Sequence, residues 1–381
     1  MEVLKKIIFY LLVALMLLPA IQYKFEIFKF KPLNGYFAPS ARPDFRWFTF
    51  KGWLRESFQK NFNKALEDNM GFRNMLIRLN NQVNYSLFRY TDNKKVVIGL
   101  NDCLFEEGYI TEYIGRDFAG KDFLDKRLST LKLAQDYLKK EKNIDLIVVF
   151  EPGKASFHSE YIPERYHPEN RAISNYDYLT KRCREMKLNH IDLNSWFLSM
   201  KQSASYPLYP EYGVHWSAYG MCLAMDSITR YIEKCRDIRM PRLDYSKVEY
   251  SNRWIDADFD IESTLNLMFS LKHRPMAYPK LKFNHDASEI KPRVLIIGDS
   301  YCWSIYDFRI PQNIFATHDY WYYNKLVYPD IWTENHPVSQ LNFRDEIEKQ
   351  DVILIMITEM NLNKAFWEFP EQICNTYNIC E

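Results

Sequence analysis

Arg293-Val-Leu-Ile-Ile-Gly-Asp-Ser300 reads as a buried strand that ends in a turn. Four apolar residues, Val294 to Ile297, suit a strand covered on both faces. Gly298 permits the tight turn that exposes the next side chains. A helical stretch opens at Tyr301-Cys302-Trp303. In an open α/β sheet, ligands bind outside the carboxyl ends of the strands. Ser300 therefore stands where active sites belong. The free N–H groups of a helix start are suited to an oxyanion there. The plainer alternative is that Asp299-Ser300 only caps the helix.

Working outward, further strands are expected at Asp145–Phe150, Asn189–Leu193, Asn313–Ala316 and Val352–Ile357. Helical spacing is predicted over Leu124–Lys142, Tyr176–Met186, from the Ser217 cap to about Cys235, and over Phe343–Gln350. Apolar strands alternating with helices imply an α/β fold with a central parallel sheet between two helical layers. Residues 237–290 break the rhythm with polar, proline-containing sequence and read as an insertion, a lid or a substrate wall. Upstream, residues 53–88 carry an apolar stripe at helical spacing, broken near Asn69-Met70-Gly71. Val96–Leu100 and Leu104-Phe105 read as a hairpin turning at Asn101-Asp102. The expected division is a membrane helix at 1–25, linker, helices and hairpin at 26–120, and the main domain at 121–381.

The first segment decides the compartment. Lys5 and Lys6 precede an apolar run, Ile7 to Ile21. Taken from Val3 to Tyr23, the run is close to the roughly 20 residues that cross a bilayer. Positive charge before the span keeps the N-terminus cytoplasmic and exports the rest. A retained anchor is favoured over a cleavable signal peptide, because no small-x-small site follows at Pro19-Ala20-Ile21-Gln22. The other 350 or so residues contain no comparable run, and mean hydropathy is −0.39. With 50 Lys+Arg against 49 Asp+Glu, no basic footprint for nucleic acid exists. Aromatic residues reach 16%, which suits sugar stacking, although a ring-rich core explains the figure more simply. The seven cysteines, at 103, 183, 222, 235, 302, 374 and 380, form neither a disulfide framework nor a zinc ligand set. Cys374 and Cys380 are near enough in sequence to pair in an oxidising compartment. No phosphate loop or metal signature is present, so neither cofactor nor metal is expected.

A serine hydroxyl needs a base. His215, in Gly213-Val-His-Trp-Ser217 before a predicted helix, is the best placed of eight histidines. His167, His273, His285 and His336 stand in hydrophilic stretches. Further candidates on the oxyanion or substrate side are Lys154 past a strand end, Trp216 beside the base, and Tyr323 and Asn324 within Trp321–Asn324. Asn361 joins them, after the last strand. Each has a bland counterpart as a solvated or packing residue.

The strand–Gly-Asp-Ser turn, with His215-Trp-Ser-x-x-Gly220, resembles the alginate O-acetyltransferase family of SGNH hydrolase-like proteins. Val97–Phe105 resembles that family's entry hairpin. Pro152-Gly-Lys154 with Tyr161-Ile-Pro163 resembles its proline–lysine loop, and Asp68–Arg73 is similar to an upstream motif. The resemblance spans roughly residues 50 to 365. It implies a three-layer SGNH hydrolase-like domain behind a membrane anchor. It also implies Ser300 and His215 as nucleophile and base, with Asp299 beside them. Implied too are acetylation of an exported polysaccharide outside a bacterial inner membrane and a membrane-bound acyl-donor protein as partner. The family usually has aspartate two residues before its histidine; here that position is Gly213. The orienting acid is then expected from Glu211 or Glu359, or the pair acts as a dyad. A carbohydrate acetylesterase and a catalytically silent polysaccharide-binding subunit are the competing readings.

Overall fold

The computed structural model of the chain describes residues 1–35, 48–284, 286–328 and 336–379. Two compact units divide it: residues 1–93 with 262–272, and residues 94–261 with 273–381.

In the first unit, the helix Glu2–Phe25 is long and apolar enough to cross a membrane. Its 24 residues rise about 36 Å, against a hydrocarbon core of about 30 Å. Three shorter helices follow at Phe50–Leu54, Ser57–Asn69 and Arg73–Phe88. The expected break falls between the last two, where Phe72 takes a left-handed φ of 64°. Gly71 is pressed so closely on the first helix that a Cβ would meet the Pro19 carbonyl at 2.2 Å.

The second unit begins with the hairpin β1 (Val96–Ile98) and β2 (Leu104–Glu106), in antiparallel register Val97↔Phe105. The turn forces Asn101 and Asp102 to φ of 53° and 64°, a region that Asn and Asp tolerate better than most residues. Next come β3 (Asp145–Glu151) and β4 (His190–Asp192). β5 (Arg242–Ser251) and β6 (Met276–Asn284) form a separate antiparallel pair within the expected insertion. Then follow β7 (Arg293–Gly298), β8 (Thr317–Tyr322), β9 (Leu326–Tyr328), β10 (His336–Pro337) and β11 (Val352–Thr358).

The main sheet has the order β10-β9-β8-β7-β11-β3-β4. Its five central and outer strands β8-β7-β11-β3-β4 are parallel, and β9 and β10 add an antiparallel edge. Every residue of β3 and β11 is buried, which is why Leu146–Phe150 and Val352–Ile357 read as unbroken apolar runs. On one face Leu146, Val148, Phe150, Leu295, Ile297, Ile353 and Ile355 share a core with the helices Lys121–Lys142 and Phe369–Tyr377. The alternate residues, Ile147, Val149, Ile296 and Leu354 among them, are equally dry on the other face. One strand is displaced from its expected place. Ile310–Ile314 is a helix with Pro311 in its first turn, burying Ile310 and Ile314 on one face, and β8 starts only at Thr317.

From β3 the chain winds outward to β4, from β7 it winds the opposite way to β8, and β11 lies between. That is a topological switch point, the place where open α/β sheets bind ligands. The turns after β7, β3 and β11 carry Ser300, Lys154 and Glu359.

Candidate active site

Ser300 is the N-cap of the helix Tyr301–Asp307, directly after β7. His215 precedes the helix Ala218–Arg236, whose cap Ser217 accepts a hydrogen bond from the Gly220 N–H at 3.0 Å. The two side chains meet: Ser300 Oγ lies 3.0 Å from His215 Nε2. On the far side of the ring, His215 Nδ1 lies 2.5 Å from Asp260 Oδ2. The other oxygen of Asp260 accepts the Val214 N–H at 2.8 Å. A carboxylate only accepts, so Nδ1 carries the proton and Nε2 is left to accept from the serine hydroxyl. Burial pulls the His215 pKa down. The charge and hydrogen bond of Asp260 pull it up by more, with Asp299 and Glu106 adding to them, and the result lies above the ordinary value.

The loop that carries His215 is held from three sides. Lys154, fully buried, donates through Nζ to the carbonyls of Glu211, at 2.9 Å, and Gly213. Its pKa is lowered by burial. Tyr301 donates its hydroxyl to the Val214 carbonyl at 2.6 Å. Trp216 is buried and donates its indole N–H to Ser304 Oγ at 2.8 Å. Lys154 and Trp216, expected on the oxyanion or substrate side, are thus committed to scaffolding. A lysine stem just past a strand end is long enough to turn inward, and the carbonyls of the His215 loop give its ammonium somewhere to bind.

The carboxylate at the imidazole is Asp260, and neither Glu211 nor Glu359 touches the ring. Glu211 pairs outward with Arg274 at 3.2 Å. Glu359, fully buried, accepts from Ser156 Oγ and Asn194 Nδ2, each at 2.5 Å. Burial pushes its pKa up to about 7. Gly213 has its reason in the same geometry. A Cβ there would meet the Ala257 carbonyl oxygen at 2.0 Å and the Asp258 carbonyl carbon at 2.9 Å. The chain that brings Asp260 to the ring occupies the space a side chain at 213 would need. Nothing local marks Asp260 in the sequence. The missing acid at 213, together with the acidic run Asp256-Ala-Asp-Phe-Asp260, was the one available signal.

Asp299 points inward and supports the turn. Its Oδ2 accepts from Thr358 N, Thr358 Oγ1 and Asn361 Nδ2 at 3.0, 2.6 and 2.8 Å, and its Oδ1 from Tyr301 N at 3.2 Å. Asn361 spends its second N–H on Thr358 Oγ1 and so serves the turn. Beneath, Glu151 is buried; burial first and Asp299 second push its pKa well up. Asn324 donates to Trp367 O and Gln372 Oε1, both at 3.0 Å, away from the serine. Tyr323 differs from these. It is half-buried, its N–H bonds the Gly298 carbonyl at 2.8 Å, and its ring packs on Tyr322 and Trp367 beside the β7 turn. Among the described residues no three His, Cys, Asp or Glu side chains converge as metal ligands. Cys374 is disulfide-bonded, and Cys380 lies outside the described residues.

Residues 96–255 match the family described as SGNH hydrolase-like domain, acetyltransferase AlgX. Over that stretch the chain is similar to the SGNH hydrolase-like domain of the acetyltransferase AlgX. The matched stretch contains the entry hairpin, Lys154 and His215, while Asp260 and Ser300 lie beyond it. Solved structures with a similar course include the O-acetyltransferase domain of Pseudomonas putida AlgJ, at 14% identity and TM-score 0.47, over 74% of this chain and 99% of that one. AlgX of Pseudomonas aeruginosa follows at 13% and 0.48, over 74% and 67%. PatB1 of Bacillus cereus stands at 14% and 0.40, over 65% and 92%. No curated protein matches the chain by sequence.

Proposed function

We propose that this chain is a serine-dependent O-acetyltransferase acting on an exported cell-surface polysaccharide. The observation that carries the reading is the line Ser300 Oγ – His215 Nε2 – His215 Nδ1 – Asp260 Oδ2, with spacings of 3.0 and 2.5 Å across the ring. Ser300 is the nucleophile, His215 the general base, and Asp260 the acid that fixes the tautomer and stabilises the imidazolium.

Ser300 Oγ attacks the carbonyl of an acetyl donor as its proton passes to His215 Nε2. The imidazolium returns that proton to the leaving group, and an acetyl-serine ester remains. A sugar hydroxyl then gives its proton to His215 and attacks the ester. The acetyl group moves to the sugar, and Ser300 recovers its proton. Transfer prevails over hydrolysis to the extent that water is excluded while the ester waits. The half-buried Tyr323 is suited to that task and to stacking on the acceptor sugar. The silent-subunit reading drew on the glycine at 213; the Asp260 carboxylate at the imidazole favours the active-enzyme reading. The helix Glu2–Phe25, with Lys5 and Lys6 before its apolar stretch, serves as a single-pass anchor that leaves the catalytic unit in the periplasm, beside a membrane-bound acyl donor.

Fluorophosphonate labelling tests the reading. Wild type should label at Ser300 and release acetate from an aryl acetate, and Ser300→Ala should do neither while staying folded. An unlabelled, folded wild type would overturn it.

A further inference from the structure

The helix Arg73–Phe88 is inside out. Residues three and four apart share a helix face, and Asn74, Arg78, Asn81 and Tyr85 form one. Arg78 donates to the carbonyls of Pro32 and Leu267 at 2.8 and 3.3 Å, and Asn81 to that of Leu265 at 2.8 Å. Tyr85 is buried. The opposite face is Leu76, Leu79, Val83 and Leu87, with exposures of 41, 46, 42 and 71%. A helix on a water-soluble protein has these faces the other way round. Polar groups spent on neighbouring chain, with an apolar stripe turned out, call for a non-aqueous partner.

Two observations identify that partner. The first is position. Gly71, at the start of this helix, packs without a gap on Pro19, Gln22 and Tyr23, the end of the helix Glu2–Phe25. Phe72 adds ring contacts to Phe28 and Phe30, at 6.1 and 5.5 Å, just past that end. The stripe therefore begins where the membrane-spanning helix leaves its apolar surroundings. The second is charge. Residues 24–93 hold twelve lysines and arginines against six aspartates and glutamates, in a chain whose net charge is only +1. An apolar helix face within a basic segment fits the boundary of an anionic bilayer, where burial of the stripe and attraction to the headgroups add.

We infer that Arg73–Phe88 is an interfacial helix that lays Leu76, Leu79, Val83 and Leu87 into the surface of an anionic phospholipid membrane beside the anchor. The inference rests on Glu2–Phe25 spanning that membrane and is independent of the chemistry at Ser300.

The test uses the full chain with Val83→Cys, labelled with a small fluorophore, in nanodiscs of phosphatidylglycerol and phosphatidylcholine. Unsubstituted chain gives the labelling background, and Leu76→Cys repeats the measurement should the first variant fold poorly. A doxyl-labelled lipid should quench the probe and aqueous iodide should not. Lipid quenching should weaken several-fold in phosphatidylcholine alone, or at about 0.5 M salt, where screening shortens the reach of charges to a few ångströms. Iodide quenching without lipid quenching would overturn the inference, because the stripe would then face water. Shielding from both quenchers would overturn it in favour of a second copy or another protein. A chain that fails to copurify with nanodiscs would overturn the span and the inference together.

Discussion

Tyr301, the residue after Ser300, donates its hydroxyl to the carbonyl of Val214, the residue before His215, at 2.6 Å. The serine turn and the histidine loop are thereby tied at the positions next to the proposed nucleophile and base. The tie is buried, and Tyr209 Oη stands 3.2 Å from the same hydroxyl. In Tyr301→Phe the ring still fits and the Val214 carbonyl is left unpaired, at a cost of about 1–3 kcal/mol. We expect kcat per titrated active site to fall about tenfold with KM unchanged, because the loss of alignment acts on the chemical step. Active-site titration with a fluorophosphonate separates the alternatives. A purely structural tyrosine would lower the titratable fraction and leave the rate per site intact.

Asp260 sets both the orientation and the basicity of His215, so Asp260→Asn should change two quantities. The rate should fall by about 10³–10⁴-fold, the scale on which triads lose activity without their acid. The pH profile should move as well. The base works only when neutral, so activity falls as pH drops through its pKa. In wild type that acidic limb should lie above the ordinary imidazole value of about 6.5, since Asp260 outweighs burial. Without the carboxylate, burial dominates and the limb should move to lower pH. A limb that stays in place would mean that another group sets it.

Gly213→Ala should resemble the loss of Asp260 although it alters no polar group. The added Cβ would lie 2.0 Å from the Ala257 carbonyl oxygen, and backbone cannot yield as a flexible side-chain tip does. The strand of chain bearing Asp260 has to shift, so activity should drop by at least about 10²-fold. Fluorophosphonate labelling should slow in parallel. Gly213→Asp should also fail to raise activity, even though it recreates the pattern expected of the family, because its Cβ meets the same carbonyl.

How much of this was legible in the sequence depends on how local each determinant is. β7 and the Ser300 turn are written within eight residues, and the His215 loop within five, so their places at the sheet edge could be read directly. The loss of the strand expected at 313–316 turns on Pro311 and the i, i+4 pair Ile310/Ile314, a short apolar run that suits either element until its packing is known. Lys154 could not be resolved from a solvated loop lysine, because its burial depends on carbonyls some sixty residues away. Asp260 is the extreme case. It reaches the imidazole from 45 residues downstream, through a segment whose composition says only insertion, and the space at Gly213 shows its purpose only in three dimensions.

Glu359 separates stability from catalysis. It is buried, its Oε1 is shared by Ser156 and Asn194, and its Oε2 has no hydrogen-bond partner among the described residues. Burial raises its folded pKa to about 7, above an unfolded value of about 4.3. The folded state therefore binds more protons than the unfolded state between those values. Stability from this group is full below about pH 4 and is lost as pH rises towards 7. Glu359→Gln keeps an acceptor for Ser156 and Asn194 and removes the charge. Its thermal midpoint should equal or exceed that of wild type at pH 8, with the difference shrinking towards pH 5. Esterase activity per active site should be unchanged within about twofold, as the side chain does not reach His215. Midpoints read by circular dichroism at pH 5, 6.5 and 8 check the first expectation. A large loss of activity at constant stability would instead assign Glu359 to the chemistry, against the geometry that gives the imidazole to Asp260.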